Sequence, residues 1–258
     1  MVINLHGLGD HSGLYPTLVE HLVGREMAVH SFDLRGNGRS AGPRGFVEGW
    51  QDFRDDLGLF LGLVRQDEPA LPLFIIGNSL GGLIALDYAM HAPTGLHGVI
   101  AVSAPLGQLA VPAPLMALGR MLSRIWPGFS LETGMDLSGL ARDPAVAEQI
   151  LGDPLFHRRA TARLSTEVTA AIARVQAGAP SFALPLLVMH GSDDRMVPPG
   201  GSRDFAARAA SPDKQLIEYP GAYHALFADT GRERALADTT GWIEARLQDT
   251  LARGRTSR

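Results

Sequence analysis

The sequence predicts an α/β fold in which a mostly parallel central sheet is flanked by helices. Six short apolar runs recur along the chain, and each ends at a glycine or a polar turn: residues 2–5, 28–32, 73–76, 99–102, 186–189 and 215–219. Helical patterns lie between most of these runs. Strands that alternate with helices are joined by right-handed crossovers, which place the strands parallel in one sheet.

Two segments have the apolar periodicity of amphipathic helices. The first carries large apolar residues at three- and four-residue spacing: Trp50, Phe53, Leu57, Phe60, Leu61 and Val64. The second lies near the end of the chain and repeats the spacing: Leu236, Thr239, Trp242, Ile243, Leu247 and Leu251. Such stripes are typical of helices that pack one face on a sheet.

Residues 106–183 interrupt the alternation, because this stretch has no strand pattern and is helical and rich in loops. Helix-start signals stand in its second half, at Asp143-Pro144 and Asp153-Pro154. An insertion of this size between two late strands predicts a helical cap over the carboxyl edge of the sheet, where α/β active sites lie. The core then comprises residues 1–105 and 184–258. The alternative is a satellite helical core without a role in binding.

The first half of this insertion carries an apolar stripe with only two charges, Arg120 and Arg124, beside it. Its members are Val111, Leu115, Leu118, Leu122, Ile125, Trp126 and Phe129. We take four of them as candidate substrate-binding residues: Leu115, Leu118, Leu122 and Trp126. The stripe also hints at a surface through which the cap touches a membrane transiently.

Composition excludes several functional classes. The 258 residues carry 23 basic and 27 acidic side chains, a net charge of −4 that gives no electrostatic reason to expect nucleic-acid binding. The chain has no cysteine, which excludes disulfides and thiolate chemistry. No apolar run approaches the roughly 20 residues of a transmembrane helix, and no signal-peptide pattern opens the sequence. We expect a soluble, cytoplasmic protein, and the sequence leaves its oligomeric state open.

The pentapeptide Gly77-Asn78-Ser79-Leu80-Gly81 lies between a buried apolar run and a helical stretch. A nucleophilic serine needs this strand, tight turn and helix, because the turn lifts its hydroxyl above the edge of the sheet. Glycines two positions before and after the serine avoid collisions and allow unusual backbone angles. Ser79 is therefore the predicted nucleophile.

A serine hydroxyl needs a base, and the base needs an acid that fixes its tautomer. His224 follows the last apolar run, and Asp193 and Asp194 follow the run before it, so all three reach the same sheet edge as Ser79. We favour Asp194 as the acid, with Asp193 as the competing choice. The order serine, aspartate, histidine is the one found in α/β-hydrolases.

Two backbone amides are candidates for the oxyanion hole. Leu80 N–H follows the nucleophile at a helix N-terminus, and Leu8 N–H lies in the turn His6-Gly7-Leu8-Gly9 after the first run. We expect His6 to be a structural hydrogen-bonding residue. The loop of residues 33–40 is a better candidate for a buttress beside the site than for a phosphate cradle, because it lacks the P-loop lysine and spacing.

Together these motifs resemble the monoacylglycerol lipase and lysophospholipase branch of the α/β-hydrolases, often labelled serine aminopeptidase-like hydrolases. The matching segments are residues 6–13, 33–40, 77–82, 191–197 and 221–224, with Arg142-Asp143-Pro144 and Asp153-Pro154-Leu155 in the cap. The resemblance covers nearly the whole chain. It implies that carboxylic esters are hydrolysed without a cofactor or metal, with an acyl chain held under the cap.

The chain departs from this family's pattern at three places. Asn78 and Asn37 stand where the family usually has histidine, and both lie outside the triad, so we expect tuned rather than lost activity. Relatives also have two further strands before the first histidine-glycine loop. We therefore expect either a shorter sheet without those N-terminal strands or a misassigned start.

The expected reaction is acyl transfer through Ser79 to water, with a small ester or lipid as substrate. Short- and medium-chain carboxylesters, amides and perhydrolysis remain open alternatives, because the same triad supports them. Dehalogenation or epoxide opening on this fold usually needs an aspartate in place of Ser79. A non-catalytic ligand-binding scaffold is the remaining alternative, although such proteins typically lose a triad member.

Overall fold

The computed structural model describes residues 1–107, 113–134 and 136–256, so Val111 and Pro112 and the side chain of Leu251 lie outside the described residues. Its strands, in chain order, are β1 (Val2–Leu5), β2 (Val29–Ser31), β3 (Leu73–Asn78), β4 (Leu96–Val102), β5 (Ser130–Glu132), β6 (Arg159–Thr161), β7 (Leu186–Gly191) and β8 (Lys214–Tyr219). Its helices are α1 (Pro16–Val23), α2 (Gln51–Asp67), α3 (Leu80–His91), α4 (Ala113–Ile125), α5 (Pro144–Leu151), α6 (Ala162–Gly178), α7 (Gly200–Arg208) and α8 (Arg232–Thr256).

The central sheet has the order β2-β1-β3-β4-β7-β8, and every neighbouring pair is parallel. All six strands match the predicted apolar runs, which confirms the α/β class. Their carboxyl ends share one edge of the sheet, so the loops that follow β1, β3, β7 and β8 meet there. This edge carries the predicted site residues.

Two apolar layers cover the two faces of the sheet. Along β3, Ile75 joins the layer made with α2, α3, α6 and α7, whereas Phe74 and Ile76 join the layer made with α1 and α8. A strand buried on both faces reads as a continuous apolar run because neither alternating set of side chains meets water. The predicted stripe on α2 and the predicted stripe on α8 as far as Leu247 face these layers.

The segment between β4 and β7 is mainly helical, but the expectation that it has no strands is wrong. β5 and β6 form an antiparallel pair, with Ser130 opposite Thr161. Three residues are too few for an alternating apolar pattern to be recognised in a sequence. Within the described ranges, no helix is both long and apolar enough to cross a lipid bilayer.

The end of this segment is continuous with the main core. Leu164, Ile172 and Val175 of α6 are buried in the same layer as α2 and α3. A buried carboxylate, Asp87 of α3, accepts hydrogen bonds from Trp50 Nε1 at 2.9 Å and from the guanidinium of Arg174 at 3.0 Å. These bonds tie α6 to the helices that cover the sheet.

Candidate active site

Ser79 occupies a strained turn between β3 and α3. Its backbone has φ 51° and ψ −119°, a conformation that residues with side chains seldom adopt. A Cβ atom added at Gly77 would lie 2.3 Å from Gly81 O, and one added at Gly81 would lie 2.5 Å from Leu5 O. Only glycine fits at these two positions, and the turn presents the serine at the carboxyl edge of the sheet.

His224 and Asp194 are brought together at the same edge. Asp194 Oδ2 lies 2.7 Å from His224 Nδ1, while Asp194 Oδ1 accepts the Met196 and Val197 N–H groups at 2.9 and 2.8 Å. Asp193 is exposed and accepts a hydrogen bond from the Ser192 hydroxyl instead. Of the two aspartates, the structure therefore places Asp194 against the histidine.

The charge of Asp194 is stabilised by its hydrogen bonds. Burial by itself would raise the pKa of this carboxyl, but the hydrogen bonds from His190 and His224 outweigh burial and hold the pKa well below its usual range. An ionised Asp194 keeps the proton of His224 on Nδ1. The Nε2 atom is then free to accept a proton from a serine hydroxyl.

Ser79 and His224 line one cavity of about 60 Å³. The walls also include Asn78, Ser103, Leu140, Ile150 and the chain from Ala225 to Ala228, with Asp10, Leu14, Tyr15 and Thr17 on the remaining side. Ser79, His224 and part of the insertion between β4 and β7 therefore meet around one small space.

The loop that carries His224 is fixed from two directions. Ser103 Oγ donates to His224 O at 2.9 Å, and the backbone of Ser103 has a positive φ of 48°. From the insertion, Gly139 O accepts His224 N–H at 3.2 Å, and Leu140 O accepts Ala225 N–H at 2.8 Å. Sequence reasoning missed Ser103, because nothing in its local pattern distinguishes it from other strand-end serines.

The predicted oxyanion donors lie next to the nucleophile. A Cβ atom added at Gly7 would be 3.1 Å from Ser79 Cβ, so the turn after β1 passes directly beside the serine. Leu80 N–H is the first amide of α3 and has no intrahelical acceptor. Leu8 N–H donates to no acceptor in the described part of the protein. Both amides are available to a negatively charged oxygen.

His6 has the structural role expected from the sequence. It is completely buried, and its Nδ1 lies 2.8 Å from Gly7 O while its Nε2 accepts Leu34 N–H at 2.8 Å. Burial lowers the pKa of His6 and keeps the ring neutral. A neutral ring can make both hydrogen bonds, whereas an imidazolium would lose the bond from Leu34 N–H.

A second histidine, His190, contacts Asp194, and the sequence did not indicate a role for it. Its Nε2 lies 3.3 Å from Asp194 Oδ2 and 2.7 Å from Val197 O, and its Nδ1 lies 2.8 Å from Ser202 Oγ. The ring is fully buried. Its position at the end of β7, four residues before the acid, was the available signal.

The four candidate substrate-binding residues do not reach Ser79. Leu115, Leu118 and Trp126 are 56%, 45% and 62% exposed, Leu122 is half-buried, and none of the four lines the cavity beside the serine. The reason is the orientation of α4, which packs on α6 with its opposite face, where Ser123 Oγ lies 2.8 Å from Thr166 Oγ1. Met116 of the same helix faces a separate groove of about 1170 Å³.

No group of three or more His, Cys, Asp or Glu side chains within the described ranges is arranged to hold a metal ion. The chemistry that this arrangement can perform is nucleophilic substitution at a carbonyl, with Ser79 as the attacking group. His224 can take the proton of the serine hydroxyl, and Asp194 can stabilise the imidazolium that forms. The N–H groups of Leu8 and Leu80 can donate to the oxyanion that develops.

Comparison with known proteins agrees with this geometry. A profile of the serine aminopeptidase S33 hydrolases matches residues 1–231. The chain is 32% identical to a monoacylglycerol lipase of Mycolicibacterium smegmatis over 96% of this chain and 89% of that protein. It is 31% identical to the monoglyceride lipase of Rattus norvegicus over 94% of this chain and 81% of that protein.

Two solved structures have the same fold. A monoacylglycerol lipase of Paleococcus ferrophilus superposes with a TM-score of 0.88 at 33% identity, over 95% of this chain and 94% of that one. A soluble variant of the Saccharomyces cerevisiae monoglyceride lipase, in complex with a substrate analog, superposes with a TM-score of 0.85 at 26% identity, over 95% of this chain and 86% of that one. The chain therefore belongs to the serine aminopeptidase S33 family of hydrolases.

Proposed function

We propose that this protein is a serine esterase that hydrolyses monoacylglycerol- or lysophospholipid-type esters through an acyl-enzyme on Ser79. The observation that carries the proposal is the hydrogen bond of 2.7 Å between the ionised Asp194 and His224, which lines the same cavity as Ser79. The names of the relatives support the substrate class, since several are monoglyceride lipases.

The mechanism follows from the placement of the groups. His224 Nε2 takes the proton of Ser79 as the hydroxyl attacks the ester carbonyl, and Asp194 stabilises the imidazolium that forms. Leu8 N–H and Leu80 N–H donate to the oxyanion. His224 then returns the proton to the departing alcohol. A water molecule attacks the acyl-enzyme through the same base and releases the acid.

Two separate cavities are candidates for the two parts of such a substrate. The cavity beside Ser79 includes Asp10 and Tyr15, whose hydroxyl donates to the Asp10 carboxylate at 2.7 Å, and these groups suit an alcohol that carries further hydroxyls. The groove of about 1170 Å³ between α4, α6 and the loop after β7 is lined in part by Leu106, Met116 and Ile172. It can hold the acyl chain only if it joins the cavity beside Ser79 when the substrate binds.

A short-chain carboxylesterase is the second candidate. The space beside Ser79 is about 60 Å³, well below the roughly 300 Å³ at which ligand pockets usually begin. Turnover of p-nitrophenyl esters of increasing chain length, together with a monoacylglycerol and a lysophosphatidylcholine, separates the candidates. A maximum at acetate would favour the second candidate, and rates that rise with chain length support the lipid substrate.

Ser79→Ala should remove nearly all turnover and all labelling by a fluorophosphonate probe, because no other group supplies the nucleophile. Asp194→Asn should lower kcat by about 10⁴-fold through the wrong histidine tautomer, the size seen for such a change in a serine protease. Asp193→Asn is the matched control and should stay near the wild-type rate. Wild-type turnover by Ser79→Ala would refute the proposal.

The apolar face of α4 gives the protein a surface for transient contact with lipid. Leu115, Leu118, Met121, Ile125 and Trp126 are all exposed. Arg120 and Arg124 lie on the same helix, where they would favour anionic head groups. We propose accordingly that residues 106–183 act as a cap that meets the lipid surface.

The lack of cysteine suits a reducing compartment and supports a cytoplasmic location.

A further inference from the structure

Leu8 stands between two peptide groups that the protein holds in fixed orientations. The Gly7–Leu8 peptide carries both the free Leu8 N–H and Gly7 O, which is bonded to His6 at 2.8 Å. The next peptide carries Gly9 N–H, which donates to Asn37 Oδ1 at 3.1 Å. Because a peptide group is planar, fixing these atoms also fixes the direction of Leu8 N–H.

One of the contacts that hold this turn in place comes from the insertion between β4 and β7. Its residues 153–161, which we call the strap, cross the turn after β1. His157 N–H donates to Gly9 O at 3.0 Å, and a Cβ atom added at Gly9 would lie 1.9 Å from His157 O. Further along, Thr161 N–H donates to Gly45 O at 3.0 Å. The strap therefore lies in direct contact with the turn that carries Leu8.

Asn37 joins the strap to this turn. Its Oδ1 receives two donors, Gly9 N–H at 3.1 Å and His157 Nε2 at 2.9 Å, and its Nδ2 donates to Arg35 O at 2.9 Å. The side chain is buried. An amide oxygen has two lone pairs, so Asn37 can serve both donors at once. A side chain without this oxygen would leave Gly9 N–H without a partner in a buried place.

We propose that Asn37 and His157 are positioning residues of the oxyanion hole, which hold Leu8 N–H at the angle that the transition state needs. The insertion would then contribute to the chemical step as well as to substrate binding. This inference rests on the proposed hydrolysis at Ser79. It assigns the two side chains an effect on catalysis that is separate from their effect on folding.

The test compares variants by their binding of two ligands with the same alkyl chain, one that forms an oxyanion on Ser79 and one that cannot. An alkyl trifluoromethyl ketone adds to Ser79 and develops an oxyanion, whereas the matching alkyl glyceryl ether cannot. Asn37→Ala should lower kcat by about 10- to 100-fold, less than the loss of an oxyanion donor, with KM within about 3-fold. Ketone affinity should fall by the same factor, and ether affinity should not change.

Asn37→Asp keeps an acceptor for Gly9 N–H but loses the bond from Nδ2 to Arg35 O and places a charge in a buried position, so it should recover only part of the lost kcat. His157→Phe removes the ring's bond to Asn37 Oδ1 at 2.9 Å, together with its contacts to Gly36 O and Arg159 N–H, both at 3.2 Å. It leaves Gly9 N–H its acceptor, so its kcat should fall between those of wild type and Asn37→Ala. Thr161→Val is the matched control, because it removes the hydroxyl bond of 2.8 Å from the strap to Gly45 without touching Gly9 or Asn37. It should lower the unfolding temperature and leave the ketone-to-ether ratio unchanged.

Equal losses of ketone and ether affinity in Asn37→Ala, or a kcat no lower than that of Thr161→Val, would overturn the inference. If the wild-type protein hydrolysed no ester, the proposed function would fail on its own. The rate of fluorophosphonate labelling of Ser79, in which a phosphoryl oxygen occupies the oxyanion hole, would then decide the inference independently. A labelling rate equal in wild type and Asn37→Ala would reject it.

Discussion

The ionisation of His6, which lies in the turn after β1, affects the stability of the protein. Burial lowers the pKa of this histidine, so the unfolded chain, with a pKa of about 6.5, binds a proton more readily than the folded one. Its contribution to stability is complete above about pH 6.5 and is lost as the pH falls towards the lower pKa of the folded state. Protonation would also break the bond from Leu34 N–H.

We therefore expect the free energy of unfolding to decrease between about pH 7.5 and about pH 5.5, and His6→Gln to reduce the decrease. Urea unfolding of both proteins across this range measures the effect. Burial also lowers the pKa values of His97 and His157, so the variant should keep part of the slope. Identical slopes for the two proteins would show that His6 is not responsible.

Asp87 connects three helices and holds α6, the last helix of the insertion, to the core. Its carboxylate is completely buried on α3 and forms ion pairs with Arg54 of α2 at 3.2 Å and Arg174 of α6 at 3.0 Å. The Trp50 indole adds a third donor. The loss of the carboxylate leaves the buried Trp50 N–H without its acceptor and removes the charge that faces both guanidinium groups.

Asp87→Ala should lower the free energy of unfolding by about 3–5 kcal/mol, the range for one partner of a buried pair. The comparison is with Asp55→Ala on the exposed side of α2, which should cost no more than about 0.5 kcal/mol. Chemical denaturation of both variants gives the two values. A similar small loss in both would mean that the three helices hold together without this carboxylate.

Periodicity predicted the elements of the core but not the orientation of α4. The six strands and the stripes on α2 and α8 could be found because each buries a regular set of apolar residues. On α4 the apolar side chains are just as regular, yet Leu115 and Trp126 face solvent. A hydrophobic pattern identifies an apolar face of a helix, but it does not show whether another part of the protein covers that face.

The positions of the three candidate catalytic residues could be predicted because each follows a strand, and parallel strands end at one edge. Ser79, Asp194 and His224 lie in loops after β3, β7 and β8, so chain order and topology suffice to place them. The contacts of His157 with Gly9 and Asn37 could not be predicted in this way. They join segments far apart in sequence whose meeting depends on how the insertion folds back over the sheet.

The exposed face of α4 gives a prediction for the behaviour of the protein at lipid surfaces. Ile125→Glu should reduce co-sedimentation with phosphatidylglycerol vesicles and should lower the rate on emulsified monoacylglycerol more than the rate on a water-soluble ester. Leu59→Glu is the control, because Leu59 is an equally exposed leucine on α2, away from the insertion. Equal losses in the two variants would argue against a specific lipid-facing surface.

The narrowness of the space in front of Ser79 has a thermodynamic consequence. A cavity of about 60 Å³ is far smaller than the pockets that usually hold ligands, so we expect an ester of a fatty acid to bind after surrounding atoms have moved apart. Measured affinity then equals intrinsic affinity multiplied by the fraction of molecules already open. Any binding partner that stabilises the widened form, a lipid interface included, would strengthen substrate binding without touching the substrate.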